Sequence, residues 1–348
     1  MPMTKRFTDE QIPPTLRKVE FSAPEPDVSQ RGGPLPSMGE GSMERVIVAV
    51  NPAPVSAGTD GTASVREAYR ACAAMTRAAS TNFYYALLTL PPDKRNAIYA
   101  AYAFCRLCDD IVDEPERRGT AAEELRATRA KLAGAYRGET DGPIWTALID
   151  AQRRFGISEF HLADVIAGCA MDLTQDRYAT FSDLEGYCRR VAGAVGLVVI
   201  QVCGYSDQRA VQHAIDLGIG MQLTNIVRDL AEDARNGRVY LPQDEMRRFG
   251  YSEAELLAGE INGRFRGLMR FQCERARRYF ASGEKLFPYL DRRSRSCPET
   301  IYRVYRGLLD RTEAAGYDVF SRRITLSRGT KLALAARLWL RSRVPALR

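Results

Sequence analysis

From about residue 64 onward, apolar residues recur at i, i+3, i+4 and i+7, the spacing that places side chains on one face of an α-helix. The stretches PPDKRNAIYAAYAFCRLCDDIVDE and TAAEELRATRAKLAGAYRG show this period clearly. The alternation of apolar and polar residues that is typical of half-buried strands is nearly missing. The pattern therefore predicts a single all-α domain, packed as a helical bundle around a central core or cavity.

The N-terminal part of the chain has a different composition. Residues 1–62 are rich in Pro, Gly, Ser and Thr and show little periodicity. This composition predicts a disordered or linker-like tail, followed by a helical domain at 63–348. The stretch VIVAV at 46–50 resembles an isolated strand without an obvious partner. A secretory signal is not expected, because no charged start leads into an apolar core, and acidic residues such as Glu10 and Glu20 disfavour an organelle transit peptide.

The net charge of +7 favours anionic partners. Nucleic acid is not expected among them, because the arginines are scattered along helical segments without the clustered aromatic residues of a single-strand binder. No apolar run approaches the roughly 18 uninterrupted residues of a membrane-spanning helix. The longest apolar stretch, at 191–204, favours a buried helix instead.

The eight cysteines are spread singly through apolar segments, which is typical of reduced thiols packed as small hydrophobic side chains in a cytosolic compartment. Cys105 and Cys108 form a CxxC motif. No second pair stands at zinc spacing, and the only histidines are His161 and His213. The pattern favours buried thiols over a zinc site or a redox site.

Two stretches far apart in the chain concentrate oxygen-bearing side chains beside apolar ones. In CRLCDDIVDE, Asp109 and Asp113 are four residues apart and so lie on one face of a helix. In QLTNIVRDLAEDARNGRVYLPQDE, a similar stripe is formed by Asn225, Asp229 and Asp233. Two carboxylate stripes that face each other would repel and lose solvation unless cations lay between them. The pattern predicts Mg²⁺, which prefers carboxylate oxygens, water and substrate phosphates.

A single acidic cluster is also compatible with a solvated helix face. The two clusters together favour the metal site, because each is flanked by apolar helix and each has an arginine nearby, Arg106 or Arg228. Metal held in this way would hold a diphosphate, and the positive net charge suits such an anionic substrate.

In these residues the chain resembles the squalene and phytoene synthase family, the head-to-head trans-isoprenyl diphosphate synthases. Five blocks match the family in order over roughly residues 66–345. They are STNFYYALLTLPPDKRNAIYAAYAFCRLCDDIVDE, DLTQDRYATFSDLEGYCRRVAGAVG, GIGMQLTNIVRDLAEDARNGRVYLPQDEM, VYRGLLDRTEAAGYDVF and RRITLSRGTKLALAARLW. The stretches GRVYLPQDEM and GYDVF are most similar to those of the phytoene synthases within the family.

The resemblance implies an isoprenoid-synthase-type helical bundle around a central apolar cavity. The implied activity is a prenyl transfer of carotenoid biosynthesis: the Mg²⁺-dependent head-to-head condensation of two geranylgeranyl diphosphates, through prephytoene diphosphate, to phytoene and diphosphate. Mn²⁺ is an alternative ion, and NADPH is not expected, since no GxGxxG fingerprint follows a strand. Two alternatives stay open. One is a sibling enzyme that makes presqualene diphosphate, squalene or dehydrosqualene from farnesyl diphosphate, and the other is a non-catalytic assembly factor with the same fold.

The resemblance also implies which residues form the site. The implied metal ligands, whose aspartates share the catalytic role, are Asp109, Asp113, Asn225, Asp229 and Asp233. The implied diphosphate contacts are Arg106, Arg228, Gln222 and Ser80. The implied catalytic tyrosines are Tyr187 and Tyr305, with ordinary helix packing as the alternative role of each. The implied cavity wall consists of Phe83, Tyr84, Val191, Ala192, Val195 and Val199. The chain carries Arg189 and Arg190 where many family members have an aromatic residue.

The C-terminal stretch GTKLALAARLWLRSRVPALR is basic, contains no acidic residue and includes Trp339. It predicts either a helix that lies on an anionic lipid surface or a final bundle helix with basic residues at its C-terminal end. The implied partners are an isoprenoid diphosphate substrate, a peripheral membrane surface and the downstream carotenoid enzymes. We expect a cytoplasmic protein that is peripheral at the membrane, with a plastid location as the alternative.

Overall fold

The structure is a computed structural model that describes residues 59–79, 83–117 and 119–343. Fourteen α-helices occur in this part of the chain. They are α1 Thr59–Ala79, α2 Phe83–Leu87, α3 Pro92–Asp113, α4 Ala121–Tyr136, α5 Pro143–Phe155, α6 Glu159–Met171, α7 Phe181–Cys188, α8 Ala194–Cys203, α9 Arg209–Arg235, α10 Gln243–Arg248, α11 Glu253–Leu257, α12 Gly263–Gly283, α13 Ser296–Ala314 and α14 Arg328–Arg343.

The described residues contain no β-strand, and two isolated bridges are the extent of strand-like pairing among them. The all-α prediction is therefore confirmed. The predicted N-terminal tail lies outside the described residues except at its end, where α1 begins at Thr59. The isolated strand predicted at 46–50 also lies outside them, as does Ser80.

Helix α3 shows how one helix serves both the core and the cavity. It begins at Pro92, a position where a helix has no backbone hydrogen bond to lose. One face buries apolar side chains including Phe104, whose ring meets Trp145 edge-on at 5.8 Å between centroids. The opposite face carries Asp109 and Asp113. The helical period thus separates the packed face from the acidic face within one element.

Helix α9 forms the centre of the bundle and packs against α8, α12 and α13. Its contacts with α8 and with the segment before α8 are unusually close. A Cβ atom on Gly218 would lie 2.4 Å from the Ala192 carbonyl oxygen, and one on Gly196 would lie 2.5 Å from the Ala214 carbonyl oxygen. Glycine at these two positions lets the helix backbones touch.

A π-helical turn at Arg189–Gly193 joins α7 to α8. The joined segment Phe181–Cys203 is long and apolar enough to cross a membrane, which is weak evidence taken alone. Its most apolar window is 44% buried inside the protein, and α8 buries Val198 and Ile200 against the bundle. This burial agrees with the prediction of a core helix at 191–204.

All eight cysteines are free thiols, and all are buried except Cys105, which is half-buried. Burial raises the pKa of the Cys72 thiol to about 11, so it is fully protonated at neutral pH. The prediction of reduced, packed thiols agrees with this arrangement.

Candidate active site

The two acidic stripes predicted from the sequence line one cavity of about 580 Å³. Helix α3 contributes Asp109 and Asp113, and helix α9 contributes Asn225, Asp229 and Asp233. The stripe on α3 ends more than a hundred residues before the stripe on α9 begins, yet both face the same cavity. The structure thus brings together all five predicted metal ligands.

Asp109 has accessible surface, but this surface faces the cavity, and protein surrounds the carboxylate. Burial, together with the neighbouring Asp113 carboxylate, raises the pKa of Asp109 to about 6, while a hydrogen bond from Cys169 opposes the shift. The Cys169 Sγ lies 3.6 Å from Asp109 Oδ1. A nearby cation would therefore stabilise the ionised form of the Asp109 carboxylate.

Asp233, on the second stripe, has the same character. Burial, together with the carboxylates of Asp229 and Glu232, raises its pKa to about 7. Asp109 and Asp233 are thus two carboxyl groups with raised pKa values on opposite walls of one cavity. Such a pair indicates a site at which a bound cation would stabilise both carboxylates.

Asp229 contacts two arginines. Its partner in α9 is Arg228, whose Nε donates to Asp229 Oδ1 at 2.8 Å while a second guanidinium nitrogen donates to Oδ2. A nitrogen of Arg323 lies 3.2 Å from Asp229 Oδ1. The Arg228 side chain is 10% exposed, so this pair has little access to solvent.

In the described parts of the chain, no three His, Cys, Asp or Glu side chains are arranged to hold one metal ion. The donor chemistry nevertheless fits a hard divalent cation, because the two stripes together contribute four carboxylates and one amide to the cavity lining. The Asn225 Oδ1 atom is buried and has no hydrogen-bond partner among the described residues, while Asn225 Nδ2 donates to Gln222 Oε1 at 3.3 Å. A buried carbonyl oxygen without a donor is suited to coordinate a cation.

Of the predicted diphosphate contacts, Arg106, Arg228 and Gln222 line the cavity. Arg106 is paired with Asp110 one helical turn further along α3. The fourth residue, Ser80, lies outside the described residues. Their binding of diphosphate stays a prediction.

Both predicted tyrosines line the cavity. The Tyr187 hydroxyl donates to Asp172 Oδ2 at 2.9 Å, and the Tyr187 ring stacks on Tyr240 with centroids 5.4 Å apart. The Tyr305 ring lies 6.0 Å from the Phe83 ring between centroids. Burial raises the pKa of Tyr187 well above its ordinary value, so its hydroxyl keeps its proton at neutral pH.

Among the described candidates for the cavity wall, Phe83 alone lines this cavity. The Tyr84 ring instead meets Tyr85 edge-on at 5.8 Å. Val191 packs close to Gly168, and the Ala192 backbone packs against Gly218. The remaining two, Val195 and Val199, are half-buried on α8. A role for these five in binding the isoprenoid chain stays a prediction.

Sequence reasoning assigned no role to five further cavity residues, namely Asp172, Arg238, Tyr240, Arg323 and Lys331. Arg238 donates to Asp113 Oδ1 at 3.2 Å, and Lys331 is 4% exposed. Burial lowers the pKa of Lys331, and the nearby Arg228 adds to this effect. All five lie inside the sequence blocks that resemble the family, and this position is the feature of the sequence that could have identified them.

A family model described as Squalene/phytoene synthase matches residues 76–330. A 15-cis-phytoene synthase of Synechocystis sp. is 40% identical over 294 residues, which cover 81% of this chain and 87% of that protein. Phytoene synthase 3, chloroplastic, of Zea mays is 36% identical over 85% of this chain and 69% of that protein. The crystal structure of a dehydrosqualene synthase in complex with ligand has a TM-score of 0.75 at 29% identity, covering 81% of this chain and 100% of that chain. The chain belongs to the squalene/phytoene synthase family.

Proposed function

We propose that this chain is a phytoene synthase, a transferase of prenyl groups that joins two geranylgeranyl diphosphates head to head through prephytoene diphosphate. The observation that carries the proposal is that two acidic helical stripes, distant in sequence, line one cavity that also contains arginine and lysine side chains. The 40% identity to a 15-cis-phytoene synthase supports this product within the family.

The reaction has two physical demands. Each prenyl unit loses a diphosphate anion, so negative charge on the leaving group must be stabilised as the C–O bond breaks. The allylic cation that remains must be kept from water until the new C–C bonds form. Charged side chains in the cavity are suited to stabilise the leaving diphosphate. Apolar side chains in its wall, which include Phe83, Ile226 and Leu308, are suited to enclose the allylic cation.

The family depends on divalent metal ions. We propose Mg²⁺, with Mn²⁺ as the alternative, and we assign its binding to Asp109, Asp113, Asn225, Asp229 and Asp233. When bound, the ion neutralises charge on the departing diphosphate. The raised pKa values of Asp109 and Asp233 support this assignment, since both carboxylates are stabilised in their ionised form by a cation.

The chain's own cations bind and orient the diphosphate. Arg323 is more than half exposed at the cavity, so its guanidinium can turn from Asp229 to a phosphate. Lys331 contributes a second cation from the N-terminal part of α14. We assign Arg106, Arg228, Gln222 and Ser80 the same task, and charge-assisted hydrogen bonds give these contacts their strength.

Aromatic residues line the cavity beside these charged groups. Phe83 and Tyr305 pack against each other, and Tyr187 stacks on Tyr240. Aromatic rings attract cations through their electron-rich faces without reacting with them, so this wall is suited to an allylic cation. We assign Tyr187 and Tyr305 to that role.

Product analysis tests the assignment. Purified protein is incubated with Mg²⁺ and either geranylgeranyl or farnesyl diphosphate, with and without NADPH, and the extracted lipids are identified. We expect phytoene from the C20 substrate with no need for NADPH. A C30 product from farnesyl diphosphate, without turnover of the C20 substrate, would instead identify a squalene-type or dehydrosqualene-type enzyme. Absence of turnover with both substrates would favour the assembly factor, although the intact carboxylate stripes argue against it.

We propose further that α14 lies on an anionic lipid surface. Its inner face packs Ala335 and Leu338 into the bundle, while Leu332, Trp339 and Leu340 are exposed at 52%, 39% and 48%. Arginines flank this outer face, and α14 contains no acidic residue. An exposed apolar face with a basic margin is the composition of an interfacial helix.

Vesicle co-sedimentation tests this surface. The wild-type protein is expected to bind vesicles that contain phosphatidylglycerol, and Leu332→Ser with Trp339→Ser is expected to weaken that binding. Phe160→Ser is the matched control, because Phe160 is 67% exposed on α6. Equal binding of both variants would contradict the docking surface. Such docking places the enzyme in the cytoplasm or a plastid at a membrane, within reach of downstream carotenoid enzymes.

A further inference from the structure

Asp172 accepts hydrogen bonds from two tyrosines at once. It stands at the C-terminal end of α6, and its Oδ2 accepts from the Tyr187 hydroxyl at 2.9 Å while its Oδ1 accepts from the Tyr240 hydroxyl at 2.8 Å. All three residues line the cavity. An ionised carboxylate has no proton to donate, and each phenol has one, so both phenol protons point at Asp172.

This direction of the protons decides what the tyrosines offer to a substrate. Because each O–H bond is directed at Asp172, the remaining lone pairs of each phenol oxygen are available to other neighbours. A negative charge behind the hydroxyl also makes its oxygen richer in electrons. Tyr187 is therefore better suited to receive a proton or face a cation than to donate to a phosphate.

Packing around the cluster fixes this geometry. The Tyr187 and Tyr240 rings are stacked, and Tyr178, which is fully buried, packs on both with centroids 5.6 and 5.8 Å away. Backbone hydrogen bonds join the loop that follows α6 to the loop that follows α9 and to the start of α10. Val239 N donates to Asp176 O, and Gln243 N donates to Tyr178 O, each at 2.9 Å. Such support is what holds a reacting group in one orientation.

The proposed function demands acceptors for protons. When two prenyl diphosphates become one C40 hydrocarbon, two diphosphate anions leave, and one C–H bond breaks at each carbon that carried a diphosphate. Each broken C–H bond leaves its electron pair in a new carbon–carbon bond. The two protons need acceptors close to the carbons that lose them, and the polar side chains of the cavity are such groups.

We infer that Asp172 is a positioning residue that receives, through Tyr187, a proton lost by the substrate. The substrate C–H proton moves to the Tyr187 oxygen while the Tyr187 hydroxyl proton moves to Asp172 Oδ2. After this transfer Tyr187 is neutral and Asp172 is protonated. Asp172 then returns its proton to solvent after the product leaves. The inference rests on the proposed function and adds the route of the proton to it.

The burial of Tyr187 favours this transfer through a neutral phenol over one that begins from an ionised tyrosinate. The pKa of Tyr187 is raised far above its ordinary value by burial, so the phenol does not ionise beforehand. A neutral phenol is a weak base unless its own proton can leave as the new one arrives. Asp172 provides that exit, and it is oriented by two hydrogen bonds.

Kinetics with geranylgeranyl diphosphate deuterated at C1 tests the inference. In Asp172→Asn, we expect kcat to fall by about 10²-fold with KM nearly unchanged, because the general-base contribution is lost. We also expect the deuterium isotope effect on kcat to rise above the wild-type value, since proton removal becomes rate-limiting. Asp172→Glu, which keeps the carboxylate, is expected to recover part of the rate and lower the isotope effect again.

Tyr178→Phe is the matched control, because its buried hydroxyl has no hydrogen-bond partner among the described residues and does not contact the cavity. It is expected to keep the wild-type rate and isotope effect. Tyr187→Phe serves if Asp172→Asn fails to fold, and the same rise in isotope effect is expected. A slow variant with an unchanged isotope effect would overturn the inference. If the wild-type protein makes no phytoene, the proposed function fails instead, so the two failures are distinguishable.

Discussion

Arg228 and Asp229 are consecutive residues of α9, and they form a two-point ion pair with Arg228 Nε 2.8 Å from Asp229 Oδ1. Consecutive residues of a helix do not normally face each other. The side chains must bend toward one another, and their exposures of 10% and 15% show that they do so away from bulk solvent. The pair therefore holds a carboxylate and a guanidinium ready at the same end of the cavity.

Asp229→Asn is expected to lower turnover by at least about 10²-fold, because it removes a charge that acts on the leaving diphosphate. It is also expected to cost about 3 kcal/mol of stability, since Arg228 is left buried without its carboxylate. Initial rates with Mg²⁺ and a urea titration measure the two effects. Asp216→Asn, on the same helix but outside the cavity, is the control and should keep its activity. Normal turnover of Asp229→Asn would contradict the metal assignment.

The pKa of Asp233 predicts how stability depends on pH without metal. Its folded-state value is about 7, above the ordinary value of 3.8, so between these two values the folded protein binds more protons than the unfolded chain. The contribution of Asp233 to the free energy of unfolding therefore falls as pH rises through this window. Asp233→Asn is expected to stabilise the metal-free protein at pH 8 by on the order of 1–3 kcal/mol.

Urea titrations of both proteins in EDTA at pH 5 and pH 8 measure this difference, which should be smaller at the lower pH. Added Mg²⁺ should stabilise the wild-type protein more than the variant at the higher pH. A variant that is less stable than the wild type at pH 8 in EDTA would contradict the raised pKa.

Gly218→Ala is expected to destabilise the protein by about 1–3 kcal/mol, because the new methyl group would overlap the backbone of Ala192 and Gly193. Gly186→Ala is the matched control, since a Cβ atom there would meet nothing within 4 Å among the described residues. Gly186 lies in α7, so alanine should stabilise that helix by about 0.5–1 kcal/mol. Thermal melts of both variants separate the outcomes, and equal melting temperatures would show that the close contact is relaxed in solution.

Glu245 and Arg275 form a buried ion pair between α10 and α12, with side chains about one-tenth exposed. The Arg275 guanidinium also lies 3.7 Å from the centre of the Phe181 ring. Arg275→Gln is expected to cost about 3–5 kcal/mol, because Glu245 would be left buried without a cation. Arg137→Gln, which breaks the exposed pair with Glu139, should cost less than about 1 kcal/mol. Similar melting temperatures for the two variants would contradict this difference.

The helical period explains why much of this site could be predicted from the sequence. Residues four apart on one helix share a face, so the stripes on α3 and α9 followed from spacing alone. Facing carboxylates need a cation between them, and this physical requirement predicts that the two stripes share one site. Tyr187 and Tyr305 came from family resemblance and not from spacing.

Spacing says nothing about residues that reach the cavity from loops or from other helices. Tyr240 stands after α9 in a loop, and Asp172 ends α6, so no period within one helix relates them. Arg323 lies in the segment between α13 and α14, and its contact with Asp229 depends on how that segment folds back. The π-helical turn was also missed, because its residues RRVAG have no feature that distinguishes them from an α-helix. These features arise from tertiary packing.

The π-helical turn at Arg189–Gly193 has a consequence for how this segment tolerates change in length. Such a turn holds one residue more than an α-helical turn does. The turn takes up this extra residue, so deleting a single residue from it would restore an ordinary α-helix with both flanks close to their present orientation. Deleting a residue from the regular helix on either side would instead rotate one flank by about 100° relative to the other. Either Tyr187 would then leave the cavity or α8 would lose its buried face. The π-helical turn is therefore the place in this segment where a one-residue change in length least disturbs the orientation of Tyr187 relative to α8.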